Sequence, residues 1–230
     1  MERERLSTRA LLACGAVAGP LYVAVTLLES LTREGFDWTQ HRFTQLTAGD
    51  FGWIHQANMV GVGLLTVLFA IGVHRVLRPG RAGEWAPRLL ALFGVAYVVG
   101  GLLRADPAVG FPPGTTAEVV HTTWQGGIQN ASRSASTLVL IAASGVIAGW
   151  FAAEGRRGWA WFYGAALPLV FMVLAAIGFA IGVNPAAPAF LMTPWIWLTA
   201  LAVHLYRGRR SAQLIPPRAP PLTAMTWPVT

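Results

Sequence analysis

The stretch HTTWQGGIQNASRSAS, residues 121–136, places polar side chains at regular spacing just before an apolar run. His121, Gln125, Gln129 and Arg133 follow one another at intervals of four residues, so on an α-helix they would form one slowly drifting stripe. A histidine can exchange a proton near neutral pH, and an arginine can pair with an anionic group. The pattern therefore predicts either a polar site or a set of hydrogen bonds between helices.

A second group of polar residues is expected at the same end of the molecule. His55 and Asn58 lie three residues apart near the start of another apolar segment. Such groups are costly against lipid and are tolerated inside a helical bundle or a wet cavity. We therefore predict an outward-facing polar pocket, whose ligand-binding candidates are His55, Asn58, Asp106, Glu118, His121, Gln125, Gln129 and Arg133.

The composition indicates a membrane environment. The 230 residues are 54% hydrophobic and 12% charged, which is about half the charged fraction of an ordinary soluble domain. A helix needs about 20 mainly apolar residues to cross the hydrocarbon. We predict an all-α, polytopic membrane protein, in which a six-transmembrane-helix bundle of residues 1–207 precedes a disordered Arg/Pro-rich tail at 208–230. The predicted spans are approximately 10–30, 53–77, 86–104, 117–153, 159–183 and 188–206.

The distribution of charge predicts the orientation of the bundle. All 17 basic residues are arginines, and 13 of them lie before the first span, after the sixth, or in and beside the loops between spans two and three and between spans four and five. The positive-inside rule therefore predicts that both termini are cytoplasmic, in a bacterial plasma membrane. The net charge of +7 is explained by topology, with an added attraction to anionic lipid headgroups.

Several kinds of site and partner are excluded. The single cysteine, Cys14, excludes an internal disulfide and a cysteine metal cluster. No HExxH spacing, phosphate loop or dinucleotide fingerprint is found in the sequence, so we predict no cofactor, no metal and no nucleic acid. The expected partners are membrane lipids, a small-molecule ligand and a second copy of the chain. Paired glycines can serve packing within the bundle or this self-association; they are Gly15 and Gly19, Gly145 and Gly149, and Gly178 and Gly182.

Four motifs resemble those of a known family. They are the loop DWTQHRFTQLT, the segment GWIHQANMVGVGLL, the loop ADPAVGFPPG and a histidine that opens the fourth span. Together they are similar to the bacterial and archaeal integral membrane proteins grouped as domain of unknown function 998, over roughly residues 15–205. The resemblance implies a six-helix membrane fold and brings no activity with it.

Three functions stay open. The protein can bind or transport a small polar or amphiphilic molecule, with Arg133, whose expected partner is Glu118 or Asp106, as the counter-ion of an anionic group. It can be an intramembrane enzyme in which His121 or His55 is the general base and one of the same two acids orients it. It can also be a structural or regulatory protein without a ligand, whose polar stripe joins helices through hydrogen bonds.

A pocket requires one particular geometry. His121, Gln125 and Gln129 must then point into the bundle, toward His55 and Asn58. Side chains that instead face lipid, or a neighbouring copy of the chain, would leave the single bundle without a pocket.

Overall fold

The computed structural model describes the backbone of residues 2–77, 79–166, 169–170, 172–173, 176–177, 180 and 186–214. The regular secondary structure of these residues is helical. A 3-10 helix lies in the loop after the first α-helix, and a π-helical turn follows the fifth. The α-helices are α1 (Glu2–Thr32), α2 (Gly52–Leu77), α3 (Arg81–Leu102), α4 (Trp124–Ala153), α5 (Arg157–Trp161) and α6 (Ala186–Leu214).

Four of these helices are long and apolar enough to cross a membrane. They are Thr8–Thr32 within α1, and α2, α3 and α4 in full, with 25, 26, 22 and 30 residues. At a rise of 1.5 Å per residue each is longer than a hydrocarbon layer of roughly 30 Å. The predicted helical, multi-pass membrane fold is thereby confirmed. Most of the fifth predicted span lies outside the described residues, and the sixth lies within α6.

The end of α6 differs from the prediction. The helix continues to Leu214, so the first residues of the expected tail at 208–230 are helical, and residues 215–230 lie outside the described part of the chain. The extension contains arginine, alanine, glutamine and leucine, which are good helix formers and allow the span to propagate past its apolar part.

The helices pack as a bundle in which α1 lies against α2 and α6, and α3 lies against α2 and α4. Large buried side chains fill the space between them, and they include Phe69, Leu90, Phe93, Leu140 and Trp195. α6 also reaches α3 and α4, since the ring centroids of Tyr97 and Trp195 lie 5.0 Å apart and those of Phe151 and His204 lie 4.9 Å apart.

Two glycines bring the central helices into direct contact. A Cβ atom at Gly63 of α2 would lie 2.6 Å from the carbonyl oxygen of Gly94 in α3, and a Cβ atom at Gly94 would lie 2.6 Å from that of Gly63. Any other residue at either position would push the two backbones apart. This close contact is between glycines that do not belong to the predicted pairs.

The predicted glycine pairs have different surroundings. A Cβ atom at Gly15 would strike a phenylalanine ring of α2, and one at Gly19 would lie 2.8 Å from a backbone carbonyl of α6, so this pair packs within the bundle. Nothing lies within 4 Å of a Cβ atom at Gly145 or Gly149. Self-association through that open face stays a prediction. The third pair, Gly178 and Gly182, lies outside the described residues.

Two loops at one end of the bundle fold onto each other, and we call them the cap: residues 33–51 and 103–123. Phe43, Leu46 and Phe111 are buried between them. The loops are therefore a packed layer that covers the ends of the helices at what we call the cap end.

Hydrogen bonds hold this layer together. Arg33 donates from Nη2 to the carbonyl oxygen of Ala48 at 2.7 Å, and its guanidinium lies 5.4 Å from the ring centroid of Phe111. The buried His41 accepts from the backbone N–H of Asp37 through Nδ1 at 2.9 Å, and its Nε2 lies 3.0 Å from the carbonyl oxygen of a residue in the second loop. Because Nδ1 accepts a hydrogen, Nε2 carries the proton and joins the two loops.

Candidate functional site

α1 and α2 meet beneath the cap in a cluster of buried polar side chains. Glu29 of α1 is 5% exposed and His55 of α2 is 0% exposed, and His55 Nδ1 lies 2.8 Å from Glu29 Oε2. A carboxylate that accepts the Nδ1 hydrogen fixes the tautomer of the neutral ring, so the free lone pair lies on Nε2. We call this pair the Glu29–His55 dyad.

The ends of two antiparallel helices position the dyad. Glu29 lies in the last turn of α1 and His55 lies in the first turn of α2, so the connecting loop brings them to the same level. The N-terminal end of α2 carries a partial positive charge, which stabilises a nearby carboxylate. Arg33 adds a second positive charge, since its Nη1 atom lies 4.0 Å from Glu29 Oε1.

Asn58 extends the cluster by one helical turn. Its Nδ2 atom donates to the carbonyl oxygen of Tyr22 at 3.3 Å and to Thr26 Oγ1 at 3.4 Å. The side-chain oxygen is therefore turned away from these partners. Both acceptors belong to α1, so Asn58 also joins the same two helices as the dyad.

Three buried polar atoms of this cluster have no hydrogen-bond partner within the described part of the chain. They are Glu29 Oε1, His55 Nε2 and Asn58 Oδ1. A buried polar atom without a partner costs roughly 1–3 kcal/mol. All three atoms are acceptors in the tautomer that the dyad fixes. The cluster therefore lacks N–H or O–H donors that could bond to them.

Aromatic rings lie on the side of the cluster away from the cap. The ring centroid of Tyr22 lies 5.9 Å from that of His55, 5.5 Å from that of Tyr97 and 4.7 Å from that of Trp195. Phe93 packs on Tyr97 at 4.9 Å. We call Tyr22, Phe93, Tyr97 and Trp195 the aromatic cluster. It brings side chains from α1, α3 and α6 to the dyad, so four helices surround the site.

The predicted residues of α4 are divided between different surroundings. Gln129 is buried, and its Nε2 atom lies 3.1 Å from Thr47 Oγ1, 3.3 Å from the carbonyl oxygen of Gly100 and 3.3 Å from that of Leu103. It thus joins α4 to α3 and to the cap, at a place separate from the dyad. Gln125 is half-buried one turn earlier.

The start of α4 is set by a capping arrangement. The helix begins at Trp124, whereas the predicted span begins near residue 117. Thr123 is the N-cap, and its Oγ1 atom accepts from the backbone N–H of Gly126 at 3.1 Å. Asp106 in turn accepts from the backbone N–H of Thr123 at 3.0 Å and from its hydroxyl at 2.6 Å. Asp106 therefore stabilises the first turn of α4, where a negative charge is favourable.

The late start of α4 corrects the predicted stripe. Glu118 and His121 precede the helix and are exposed in the cap, so His121 does not continue the row of Gln125, Gln129 and Arg133. The structure therefore brings only part of the predicted set together. His55 and Asn58 share the dyad cluster, and the α4 residues belong elsewhere.

Arg133 also differs from the prediction. Its side chain is exposed, and its Nη2 atom donates to Asn130 Oδ1 at 3.2 Å. The expected partner was Glu118 or Asp106. The contacts of Glu29 with Arg33 and with His55, within 4.0 Å, do not include Arg133. The physical reason is that Asp106 is engaged in the capping arrangement and Glu118 lies ahead of the helix.

Glu29 is the main residue that the candidate set lacked. Its signal is present in the sequence, because it is an ionisable residue near the end of the first predicted span, at 10–30. Ionisable residues within a span face the bundle interior and pair there. The aromatic cluster gives a weaker signal, since aromatic residues are frequent in membrane spans.

The arrangement gives little support to metal chemistry. No group of three or more His, Cys, Asp or Glu side chains that could hold a metal ion is found among the residues that the structure describes. The dyad alone offers two ligands, whereas a zinc site takes at least three from the protein. The chemistry available is hydrogen bonding and proton exchange at His55 Nε2.

Comparison with known proteins agrees with the motifs of the loops. No curated protein and no solved structure matches the chain. Residues 16–204 match the family described as Protein of unknown function (DUF998). This range contains the cap, the dyad and the aromatic cluster. The chain therefore belongs to the DUF998 family of membrane proteins.

Proposed function

We propose that this membrane protein binds a small polar or amphiphilic molecule at the Glu29–His55 dyad and carries it across, or presents it within, the bundle. The observation that carries the proposal is His55 Nε2, which is fully buried, without a partner in the described residues, and held in one tautomer by Glu29. An isolated acceptor of this kind is expensive at membrane depth. A ligand that donates a hydrogen bond removes the cost.

The unpaired atoms define the chemistry of the ligand. Because Glu29 Oε1, His55 Nε2 and Asn58 Oδ1 are all acceptors, the ligand carries hydroxyl or amine N–H groups at its polar end. The neighbouring aromatic cluster suits an apolar portion or, through the ring faces, a cationic amine. This donor-bearing ligand differs from the anionic ligand that we expect from Arg133 in the sequence, because Arg133 lies outside the dyad cluster.

Arg33 connects the cap to the dyad. It donates to two cap carbonyl oxygens, of Leu46 and Ala48, and it stands 4.0 Å from Glu29 Oε1. A displacement of the cap therefore changes the electrostatic environment of the carboxylate. This coupling supports access to the dyad from the cap end.

The test compares histidine variants in the purified protein. We expect mass spectrometry of the wild-type protein to find a co-purifying molecule with hydroxyl or amine donors, and His55→Gln to lose it. His121→Gln is the matched control, because it changes an exposed histidine at the same end, and it should keep the molecule. Equal retention by all three proteins would contradict binding at the dyad.

An intramembrane enzyme is the second candidate, and the dyad geometry favours it. A histidine oriented by a carboxylate at 2.8 Å is the arrangement of a general base, and Glu29 takes the orienting role that we expect of Asp106 or Glu118 from the sequence. Glu29→Gln separates the two functions. It keeps a hydrogen bond to His55 and removes the charge, so an enzyme should lose turnover of the identified molecule while retaining its binding, and a transporter should lose affinity or transport.

A purely structural role predicts that an apolar side chain can replace His55 without loss of stability. If His55→Leu gave a protein of equal or higher thermal stability, and no molecule were bound to the wild type, the cluster would serve only to join helices. That outcome would favour the structural or regulatory alternative.

We further propose six spans with both termini cytoplasmic, in a bacterial plasma membrane, so that the cap faces outward. The arginine distribution supports this orientation. In a Cys14→Ser background, Thr39→Cys in the exposed cap should react with an impermeant thiol reagent in intact cells. Glu84→Cys, at the opposite end, should react only after lysis. The reverse pattern would invert the topology.

A further inference from the structure

The buried histidine of the cap is bonded at both ring nitrogens. His41 is 4% exposed. Its Nδ1 atom accepts from the backbone N–H of Asp37 at 2.9 Å, within the first cap loop. Its Nε2 atom donates to the carbonyl oxygen of Val109 at 3.0 Å, in the second cap loop. A neutral imidazole has one acceptor nitrogen and one donor nitrogen, so these two bonds fit the neutral ring and no other protonation state.

A proton on Nδ1 of His41 is incompatible with this geometry. The protonated ring has two donors and no acceptor, so its Nδ1–H and the backbone N–H of Asp37 would point at each other. That N–H would lose its partner beside a buried ring, and the ring itself would carry a buried charge, both of which are destabilising. A rigid ring held at both ends cannot move away from Asp37 while it keeps its bond to Val109.

Aromatic packing links His41 to the dyad. The ring centroids of Phe36 and Phe111 lie 5.6 and 5.7 Å from that of His41. The guanidinium of Arg33 lies 5.4 Å from the centroid of the same Phe111 ring, and Arg33 Nη1 lies 4.0 Å from Glu29 Oε1. His41 and Arg33 therefore contact one shared ring, so a displacement of His41 is passed to the arginine beside the dyad.

The charged groups around His41 differ in their effect on its protonation. Asp37 favours a charged ring, and hydrogen bonds from Thr39 lower the pKa of Asp37 from its ordinary 3.8, so this carboxylate stays ionised at about pH 5. Arg42, the next residue in the chain, and Arg33, across Phe111, oppose a second positive charge. The other titratable groups of the two cap loops are Glu34, Asp50, Arg104, Asp106, Glu118 and His121.

We propose that His41 makes the cap a pH-sensitive lid, in which protonation of the ring breaks its bond to Asp37 and separates the two loops. The closed cap holds the neutral ring, whereas an exposed imidazole binds a proton below a pH of about 6.5. The closed cap is therefore fully favoured above that pH and loses up to about tenfold in population per pH unit below it. An open cap releases Arg33 from its carbonyl acceptors, which, on the proposed function, gives access to the dyad.

The test is amide hydrogen exchange of the full-length protein in a neutral detergent, without added ligand. Rates are measured at about pH 7.5 and about pH 5 and divided by those of the unfolded chain at the same pH. We expect the protection of residues 33–51 and 103–123 to fall about thirtyfold at the lower pH, while that of α2 and α3 is retained. His41→Gln should lose this response, because glutamine does not titrate. His121→Gln, which changes an exposed histidine of the cap, is the matched control and should respond like the wild type.

Three results of this measurement would overturn the lid. They are equal protection of the wild-type cap at the two pH values, an equal acid response in His41→Gln, and a loss of protection throughout the helices. If the cap of His41→Gln is unprotected at both pH values, nitrogen NMR of histidine-labelled wild type decides. A ring signal, absent from His41→Gln, that is neutral at the higher pH and becomes charged as protection falls supports the lid, and a ring already charged at the higher pH overturns it. Because no ligand is present, failure of the lid leaves the proposed binding at the dyad untouched.

Discussion

The cap end of the molecule contains two polar regions that differ in burial. The Glu29–His55 dyad is buried between two helices, which the contact between His55 Nδ1 and Glu29 Oε2 joins. On α4, Arg133 is exposed and donates a hydrogen bond to Asn130 of the same helix. Both regions contain an ionisable residue close to the end of an apolar segment. The difference indicates that the partners on the neighbouring helix, as well as the residue type, decide whether such a group is buried.

The largest difference between the two regions should appear in stability. Glu29→Ala leaves His55 Nδ1 buried without an acceptor, and we expect it to lower the free energy of unfolding by roughly 3 kcal/mol. Arg133→Ala on the exposed face should change it by less than about 0.5 kcal/mol. Thermal unfolding of both variants in the same detergent provides the measurement. Equal losses would mean that the two regions are buried to the same extent.

Gln125 and Gln129 allow a comparison of a half-buried and a buried polar side chain within one helix. Gln129→Leu removes a donor that serves three oxygens and leaves Thr47 Oγ1 and two carbonyl groups with fewer partners. We expect a loss of about 2 kcal/mol. Gln125→Leu, one turn earlier and half-buried, should be within about 0.5 kcal/mol of the wild type. Chemical unfolding monitored by tryptophan fluorescence tests this, and a larger effect at Gln125 would reverse the assignment.

A smaller effect is expected where α4 begins. Thr123→Ala removes the side chain that caps the backbone N–H of Gly126 and that bonds Asp106. The loss should be about 1 kcal/mol and should be confined to the first turn. Amide hydrogen exchange should therefore accelerate in residues 124–127, and Thr122→Ala, at the exposed neighbouring position, should leave it unchanged. Uniform acceleration along α4 would contradict a local cap.

The smallest effect concerns the acid titration of the cap. Thr39 donates to Asp37 from its hydroxyl and from its backbone N–H, and these bonds lower the pKa of Asp37 from its ordinary 3.8. Because the folded-state pKa is depressed, the stabilisation is complete above the ordinary value and is lost as the pH falls through the lower folded value. Thr39→Val should move the pKa of Asp37 upward, as followed by NMR of carboxyl-labelled aspartate. Thr116→Val, at a distant exposed threonine of the cap, should leave that titration in place.

The sequence predicted those parts of the fold that depend on local composition. Long apolar runs identify α1 to α4, because each carries its own signal for membrane insertion. The three-residue spacing of His55 and Asn58 also predicts that they share one side of α2, whereas their role in ligand binding stays a prediction. The rule that polar residues within a span face the bundle interior also selects Glu29 in α1. Its partner, His55, is 26 residues away in the sequence.

The remaining features depend on partners that are distant in the sequence. Asp106 helps to fix the start of α4 from 17 residues away, and Thr47 accepts from Gln129 across 82 residues. Periodicity alone could not show that these groups converge. Periodicity therefore predicts a helix that includes His121 and a pocket that includes Gln129, whereas tertiary contacts start the helix at Trp124 and make Gln129 a hydrogen-bond donor that joins α4 to α3 and the cap.

The crossing of Gly63 and Gly94 has a consequence for motion. Because the two backbones approach closely there, beside the side chains of Val67 and Val98, we expect α2 and α3 to move together. The pair carries His55 on one helix and the carbonyl acceptor at Gly100 on the other. An opening that admits a molecule to the dyad would then separate α1 or α6 from the α2–α3 pair.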